Sequence, residues 1–105
     1  MIQQKIADMQ CRTESARAIV YRLGRMKDAG VDRCSVEASM AKLTASEAAT
    51  ANALDAIQIF GGYGLSEEYE VGRLLLEAKA LEIGEGTSEL HRKLIAEHAL
   101  GIRGN

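Results

Sequence analysis

Two glycine-rich breaks hold most of the chemistry that this sequence offers. The first, Gln58-Ile59-Phe60-Gly61-Gly62-Tyr63-Gly64, has three glycines in four consecutive positions. The second, Ile83-Gly84-Glu85-Gly86, sets one carboxylate between two glycines, with Thr87 and Ser88 following. Glycine has no Cβ, so a ligand can lie against the main chain and meet its amides directly. Glu85 has the residue type of a general base, and its own backbone N–H is available to donate. The bland alternative is a solvated loop glutamate favoured by the positive end of the next helix. For the first break, the alternative is a helix C-cap with a sharp reversal. Gly62-Tyr63-Gly64 superficially suggests a dinucleotide fingerprint, but that motif follows a strand and opens a helix. Here the glycines close a helix, and no third one follows at the right spacing. Spacing alone chooses in neither break.

Other reactive side chains have weaker claims. His91 and His98 lie seven apart, about 10 Å along a helix, whereas metal ligation from one helix uses spacings of three or four. They read as surface or interface residues, and no metal site is expected. Glu82 lacks flanking glycines and reads as a solvated neighbour. Cys11 and Cys34 are separated by most of a long helix, so a bridge between them would require the chain to double back. Two reduced thiols without a nucleophilic role are expected.

Four helices, three long and one short, must position the breaks. Ile2, Ile6, Met9, Ala16, Val20 and Leu23 form an apolar stripe at helical spacing, which predicts a helix from about residue 2 to Ala29 with Gly30 as its stop. Ser35 is placed to cap a second helix, from about Val36 to Phe60, with Glu37 in its first turn. Met40, Leu43, Leu54 and Ile57 supply its larger contacts. Ala41, Ala45, Ala48, Ala49 and Ala53 leave a thin surface that a neighbour can approach closely. Ser66 offers a cap for a short helix carrying Glu67 and Glu68 in its first turn and ending near Ala78. Thr87 or Ser88 caps the last helix, with Leu90, Leu94, Ile95 and Ala99 inward and Gly101 at its end. The tail from Ile102 to Asn105 has no reason to be ordered.

Composition agrees with an all-α class. The 105 residues include no proline and no tryptophan, and alanine gives up no side-chain entropy in a helix. Residues 1–105 suffice for one domain. The formal charge is −2, and the arginines are interleaved with Glu14, Asp28 and Asp32. Nucleic acid and anionic membranes are therefore poor partners. No apolar run approaches the roughly 20 residues of a membrane span, and the first residues lack a signal peptide's apolar region. A cytoplasmic location is expected.

Taken together, the two breaks carry a resemblance. Gln58-Ile-Phe-Gly-Gly-Tyr-Gly64, Arg73-Leu74, Glu85-Gly-Thr-Ser-Glu-Leu-His-Arg92 and Ile95-Ala96 resemble the closing half of the acyl-CoA dehydrogenase signature. Ile6-Ala7-Asp8-Met9 and Ala41-Lys42 fit the same pattern, so the resemblance covers nearly the whole chain. It implies that residues 1–105 are a partial C-terminal helical domain, packed as an antiparallel helical bundle, of a flavoprotein oxidoreductase of fatty acid metabolism. In that family the glutamate matching Glu85 removes the α-proton of an acyl-CoA thioester. The β-hydrogen leaves as hydride to the flavin of FAD, giving a trans-enoyl-CoA. The backbone N–H of the same glutamate and the flavin ribityl chain polarise the thioester carbonyl, and Gly86 matches the point of closest substrate approach. Thr87, Ser88 and Glu89 match FAD contacts at a helix N-terminus. Gln58, Ile59, Phe60, Gly61 and Gly62 match contacts to the FAD pyrophosphate, made from a neighbouring subunit of a homo-oligomer. Electron-transfer flavoprotein is the implied partner in the full-length context.

The sequence departs from the family at several points. Tyr69-Glu70 stands where the family has tyrosine-proline, and Leu75, Leu76 and Glu77 replace an aromatic, an arginine and an aspartate. Gly84 replaces an aromatic beside the base and leaves chain-length preference open. The N-terminal helical domain, the middle β-domain and the first helix of the C-terminal domain have no counterpart here. The resemblance thus implies a fragment that exposes an apolar stripe, self-associates, and alone neither holds FAD nor turns over acyl-CoA. An acyl-CoA oxidase, an acyl-carrier-protein dehydrogenase and a non-catalytic oligomerisation or docking module are the alternatives.

Overall fold

The computed structural model describes residues 1–102. Helix α1 spans Ile2–Asp28, α2 Ser35–Phe60, α3 Val71–Ile83 and α4 Ser88–Ala99, with a 3-10 turn at Gly61–Leu65 between α2 and α3. Among the described residues there is no strand. The helices form an all-α bundle organised around α2. Each of α1, α3, α4 and the 3-10 turn packs on α2, while α1, α3 and α4 have little contact with one another. The shape is accordingly long, 50 × 23 × 23 Å with a radius of gyration of 16.1 Å. A compact domain of this length would have a radius near 13 Å.

Small residues explain how α2 serves as a hub. The buried positions are Cys34, Ser39, Ala41, Ser46, Ala53, Gly64 and Ala78, and no large side chain is fully buried. With only a methyl or hydroxyl at the contact, backbones approach closely, as the alanine-rich face of α2 predicts. Leu54 departs from expectation: it is exposed, because it lies opposite the alanine face. Large apolar side chains instead cover the outside, among them Ile6, Tyr63, Leu65, Leu76, Ile83 and Leu100.

The seam of α1 also differs from the predicted stripe. Ile2, Ile6 and Val20 are exposed, and the covered positions are Lys5, Met9, Arg12, Thr13, Ala16, Ile19, Leu23 and Met26. Polar groups within that seam fix its register against α2. Arg12 donates to Asp55 at 2.6 Å, and Asn52 Nδ2 donates to Thr13 Oγ1 at 3.0 Å. Apolar periodicity cannot register such a polar seam.

Helix ends follow local chemistry. Gly30, at φ 82, lets Gly30 N–H reach the Lys27 carbonyl and Val31 N–H reach Met26, closing α1. Cys34 rather than Ser35 is the N-cap of α2. Its thiol donates to the Val31 carbonyl and its own carbonyl takes the Ala38 N–H, so it is tied down while Ser35 is already helical. Ser66 does not cap α3. Its hydroxyl accepts from Glu68 N–H and its carbonyl from Tyr69 N–H, making an isolated turn. Tyr69 packs edge-on against Phe60 and Tyr63 at 5.6 and 5.9 Å, and the helix starts only after this cluster. Nothing in Lys79–Ile83 breaks the helix, so it continues beyond Ala78 to Ile83. At the far end, Ile102 N–H bonds Glu97 O, so Ile102 is held; the rest of the expected loose tail, 103–105, lies outside the described residues. On α4, Leu94 and Ile95 are half-buried as expected, but Leu90 and Ala99 are exposed, since α4 packs chiefly on α2 and covers a narrow face.

Candidate active site

The base turn joins α3 to α4. Gly84 has φ −69 and ψ 143, and Glu85 follows at φ 56. These angles match a type II turn, whose third position normally requires glycine because of its positive φ. Glu85 is the sole non-glycine residue with positive φ among the described residues. A left-handed conformation costs an L-residue about 1–2 kcal/mol. Among the described residues, no backbone carbonyl accepts from the Glu85 N–H. The residue is solvent-exposed. Gly86, at φ 107, is conformationally required, and a Cβ there would stand 2.9 Å from His91 Nε2.

Helix α2 fixes both flanks of this turn. On the α3 side, Lys42 Nζ donates to the Leu81 carbonyl and Thr50 Oγ1 donates to the Glu82 carboxylate. Lys79 bridges Glu82 at 3.2 Å. Glu82 is therefore not the solvated neighbour expected: its side chain is only 13% exposed, and the Thr50 hydrogen bond holds its pKa below the usual carboxylate range. Its carboxylate is committed to structure. On the α4 side, Thr87 Oγ1 accepts from Leu90 N–H at 3.2 Å as the N-cap, and Arg92 pairs with Glu47 at 2.5 Å. His91 is likewise not a plain surface residue. It is half-buried, with Nδ1 and Ser39 Oγ hydrogen-bonded at 3.1 Å. Sequence spacing missed this pair, because its partners lie 52 residues apart.

The cofactor candidates separate by environment. Thr87 and Glu89 are exposed at the N-terminus of α4, where free amides and the helix dipole favour an anion. The Ser88 hydroxyl is buried without a protein partner, so its backbone amide is the part available there. At the first break, Gln58, Phe60, Gly61 and Gly62 are exposed and Ile59 is half-buried. Gly61 needs its φ of 65 to leave α2, and Gly64 is needed because a Cβ would stand 2.7 Å from Ile57 O. Gly62 is different. Its φ is not positive and nothing lies within 4 Å of a Cβ placed there, so the chain's own packing gives no reason for glycine. An open main chain of this kind suits phosphate oxygens of a group such as FAD.

The structure keeps the two breaks apart. Ser39, against the base turn, and Phe60, at the first break, are separated along α2 by about 30 Å at 1.5 Å per residue. The two breaks thus lie toward opposite ends of α2. The free cysteines do not pair, and no cluster of metal-ligating side chains occurs among the described residues. No described helix is long and apolar enough to cross a membrane.

Known proteins resemble this chain in sequence and fold. The family description "Acyl-CoA dehydrogenase, C-terminal domain" matches residues 1–100. An acyl-CoA dehydrogenase of Bacillus subtilis (strain 168) is 50% identical over 97 residues, covering 92% of this chain and 25% of that protein. The crystal structure of the prolyl acyl carrier protein oxidase AnaB superposes with a TM-score of 0.90 at 38% identity, covering 93% of this chain and 26% of the other. The structure of PigA with FAD and proline superposes at 0.88 with 34% identity, over 97% of this chain and 26% of PigA. The chain thus spans about a quarter of the length of the relatives it matches. With the helical fold in place and the family match running over residues 1–100, this chain belongs to the acyl-CoA dehydrogenase family and matches that family's C-terminal domain.

Proposed function

We propose that this chain supplies the proton-abstracting carboxylate and part of the FAD site for α,β-dehydrogenation of an acyl-CoA thioester. One observation carries the reading: Glu85 occupies a strained left-handed position where glycine would be cheaper. Strain of that kind persists where the surrounding structure enforces it, and it clusters at sites of chemistry. Glu85 takes the α-proton onto its carboxylate. Its N–H donates to the thioester oxygen, which stabilises the charge that develops there. Gly86 presents bare main chain to the substrate. FAD, when bound, would supply the hydride acceptor for the β-hydrogen. The amides at the start of α4, from Thr87, Ser88 and Glu89, would hold one part of the cofactor, and Gln58–Gly62 of a second copy would hold its pyrophosphate. The roughly 30 Å between the two breaks supports this two-copy arrangement, in a homo-oligomer located in the cytoplasm. Electron-transfer flavoprotein is the proposed electron-accepting partner.

A second reading comes from the AnaB likeness: an acyl-carrier-protein thioester in place of acyl-CoA, with oxygen as acceptor. Both share the α-proton step. In the FAD-loaded, full-length protein carrying this chain, Glu85→Gln should retain flavin and lose substrate-driven bleaching at 450 nm, by about 10²–10⁴-fold in rate. Unchanged bleaching excludes Glu85 as the base. Bleaching by the carrier-protein thioester alone selects the second reading. The 105-residue chain by itself should retain no flavin absorbance after gel filtration.

A further inference from the structure

We infer that Ser39 and His91 are positioning residues that set the base turn from below, an inference that rests on Glu85 being the base. Three observations make the case. His91 Nδ1 is anchored to Ser39 Oγ at 3.1 Å, and Ser39 is only 7% exposed on the hub helix. The opposite ring nitrogen, Nε2, sits beneath Gly86, close enough that a Cβ there would meet it at 2.9 Å. That same Nε2 is buried and has no hydrogen-bond partner among the described residues. A buried polar atom without a partner costs stability. A phenyl or leucyl side chain would fill this space without that cost, so packing alone does not account for an imidazole.

The imidazole gives what an apolar filler lacks, which is orientation. A hydrogen bond at Nδ1 fixes the ring about its last torsion, a torsion that is otherwise broad. With the ring fixed, Nε2 becomes a hard stop for Gly86, and Gly86 adjoins Glu85. Any tilt of the ring moves the stop and lets the left-handed Glu85 relax. Ser39 thereby reaches the carboxylate through His91 and Gly86 without touching it.

Ser39→Ala removes the tether with almost no change in volume, and His91→Phe keeps a ring without either nitrogen. In the FAD-loaded, full-length protein, each should lower kcat for flavin reduction about tenfold or more with little change in KM, since misplacement by about 1 Å is worth up to ~10²-fold. Flavin absorbance should change little in Ser39→Ala, and Tm should fall modestly because His91 Nδ1 loses its partner. A second readout uses no turnover. In ¹H–¹⁵N spectra, Ser39→Ala should shift the Glu85 and Gly86 amides and leave that of Glu77, on α3, in place. Glu85→Gln separates the two ideas. If Glu85→Gln abolishes reduction while both Ser39→Ala and His91→Phe retain full kcat and unshifted amides, the positioning role is overturned and the base stands. If Glu85→Gln reduces flavin normally, the base assignment fails, and the amide shifts alone then decide whether the brace exists.

Discussion

The two glycine breaks look alike on paper and behave oppositely in three dimensions. At Gly61–Gly64, glycine stands wherever the backbone demands it: Gly61 has positive φ and Gly64 has no room for a Cβ. At Ile83–Gly86, glutamate fills one of the two positions of positive φ and Gly86 the other, while Gly84 is extended and a Cβ there would stand 3.2 Å from the Ala80 carbonyl oxygen. The first break is a folding solution with one surplus glycine, Gly62. The second holds strain that a glycine would remove. A residue held against its conformational preference at one break, and a glycine without an internal requirement at the other, are the features on which the proposed contacts rest.

The largest effect should come from adding a methyl group at the first break. Gly64→Ala drives a Cβ into the Ile57 carbonyl and should cost about 1–3 kcal/mol in urea denaturation. Gly62→Ala should cost less than about 0.5 kcal/mol while weakening FAD retention in the assembled protein. Equal destabilisation by both would erase the distinction between them. At the second break, Glu85→Gly should stabilise the fold, by up to about 1 kcal/mol, because glycine adopts positive φ without penalty. A destabilised Glu85→Gly variant would mean that the carboxylate is structural.

The smallest effect concerns Glu82, upstream of the turn. Its pKa is depressed, chiefly by the Thr50 hydroxyl. The stability it contributes is therefore present above the unfolded carboxylate value near 4.5 and is lost as pH falls through the lower folded value. Thr50→Val should cost on the order of 1 kcal/mol at neutral pH and flatten the fall of Tm in acid. An acid profile that matches wild type would show that the Thr50 bond does not set it.

Much of the fold was legible because helices declare themselves through proline absence, apolar spacing and glycine stops. Helix α2 fell within one residue of its predicted start, and the end of α1 at Gly30 followed from glycine alone. What stayed hidden depended on partners far along the chain. The α1 seam is set by Arg12–Asp55 and Asn52–Thr13, the late start of α3 by the rings of Phe60, Tyr63 and Tyr69, and the role of His91 by Ser39. At the site, Glu85 stood out through its flanking glycines, but its positive φ did not, since residue type predicts the opposite. The family resemblance supplied the proposed chemistry, and the fold supplied the separation of the two breaks along α2.

The most direct test follows the proton itself. Full-length, FAD-loaded protein in D₂O should wash deuterium into the α-carbon of an acyl-CoA thioester that cannot lose its β-hydrogen. Glu85→Gln should abolish that exchange while the folded state and bound flavin persist. Exchange at the wild-type rate in Glu85→Gln would contradict the account, and the strained turn would then need another purpose.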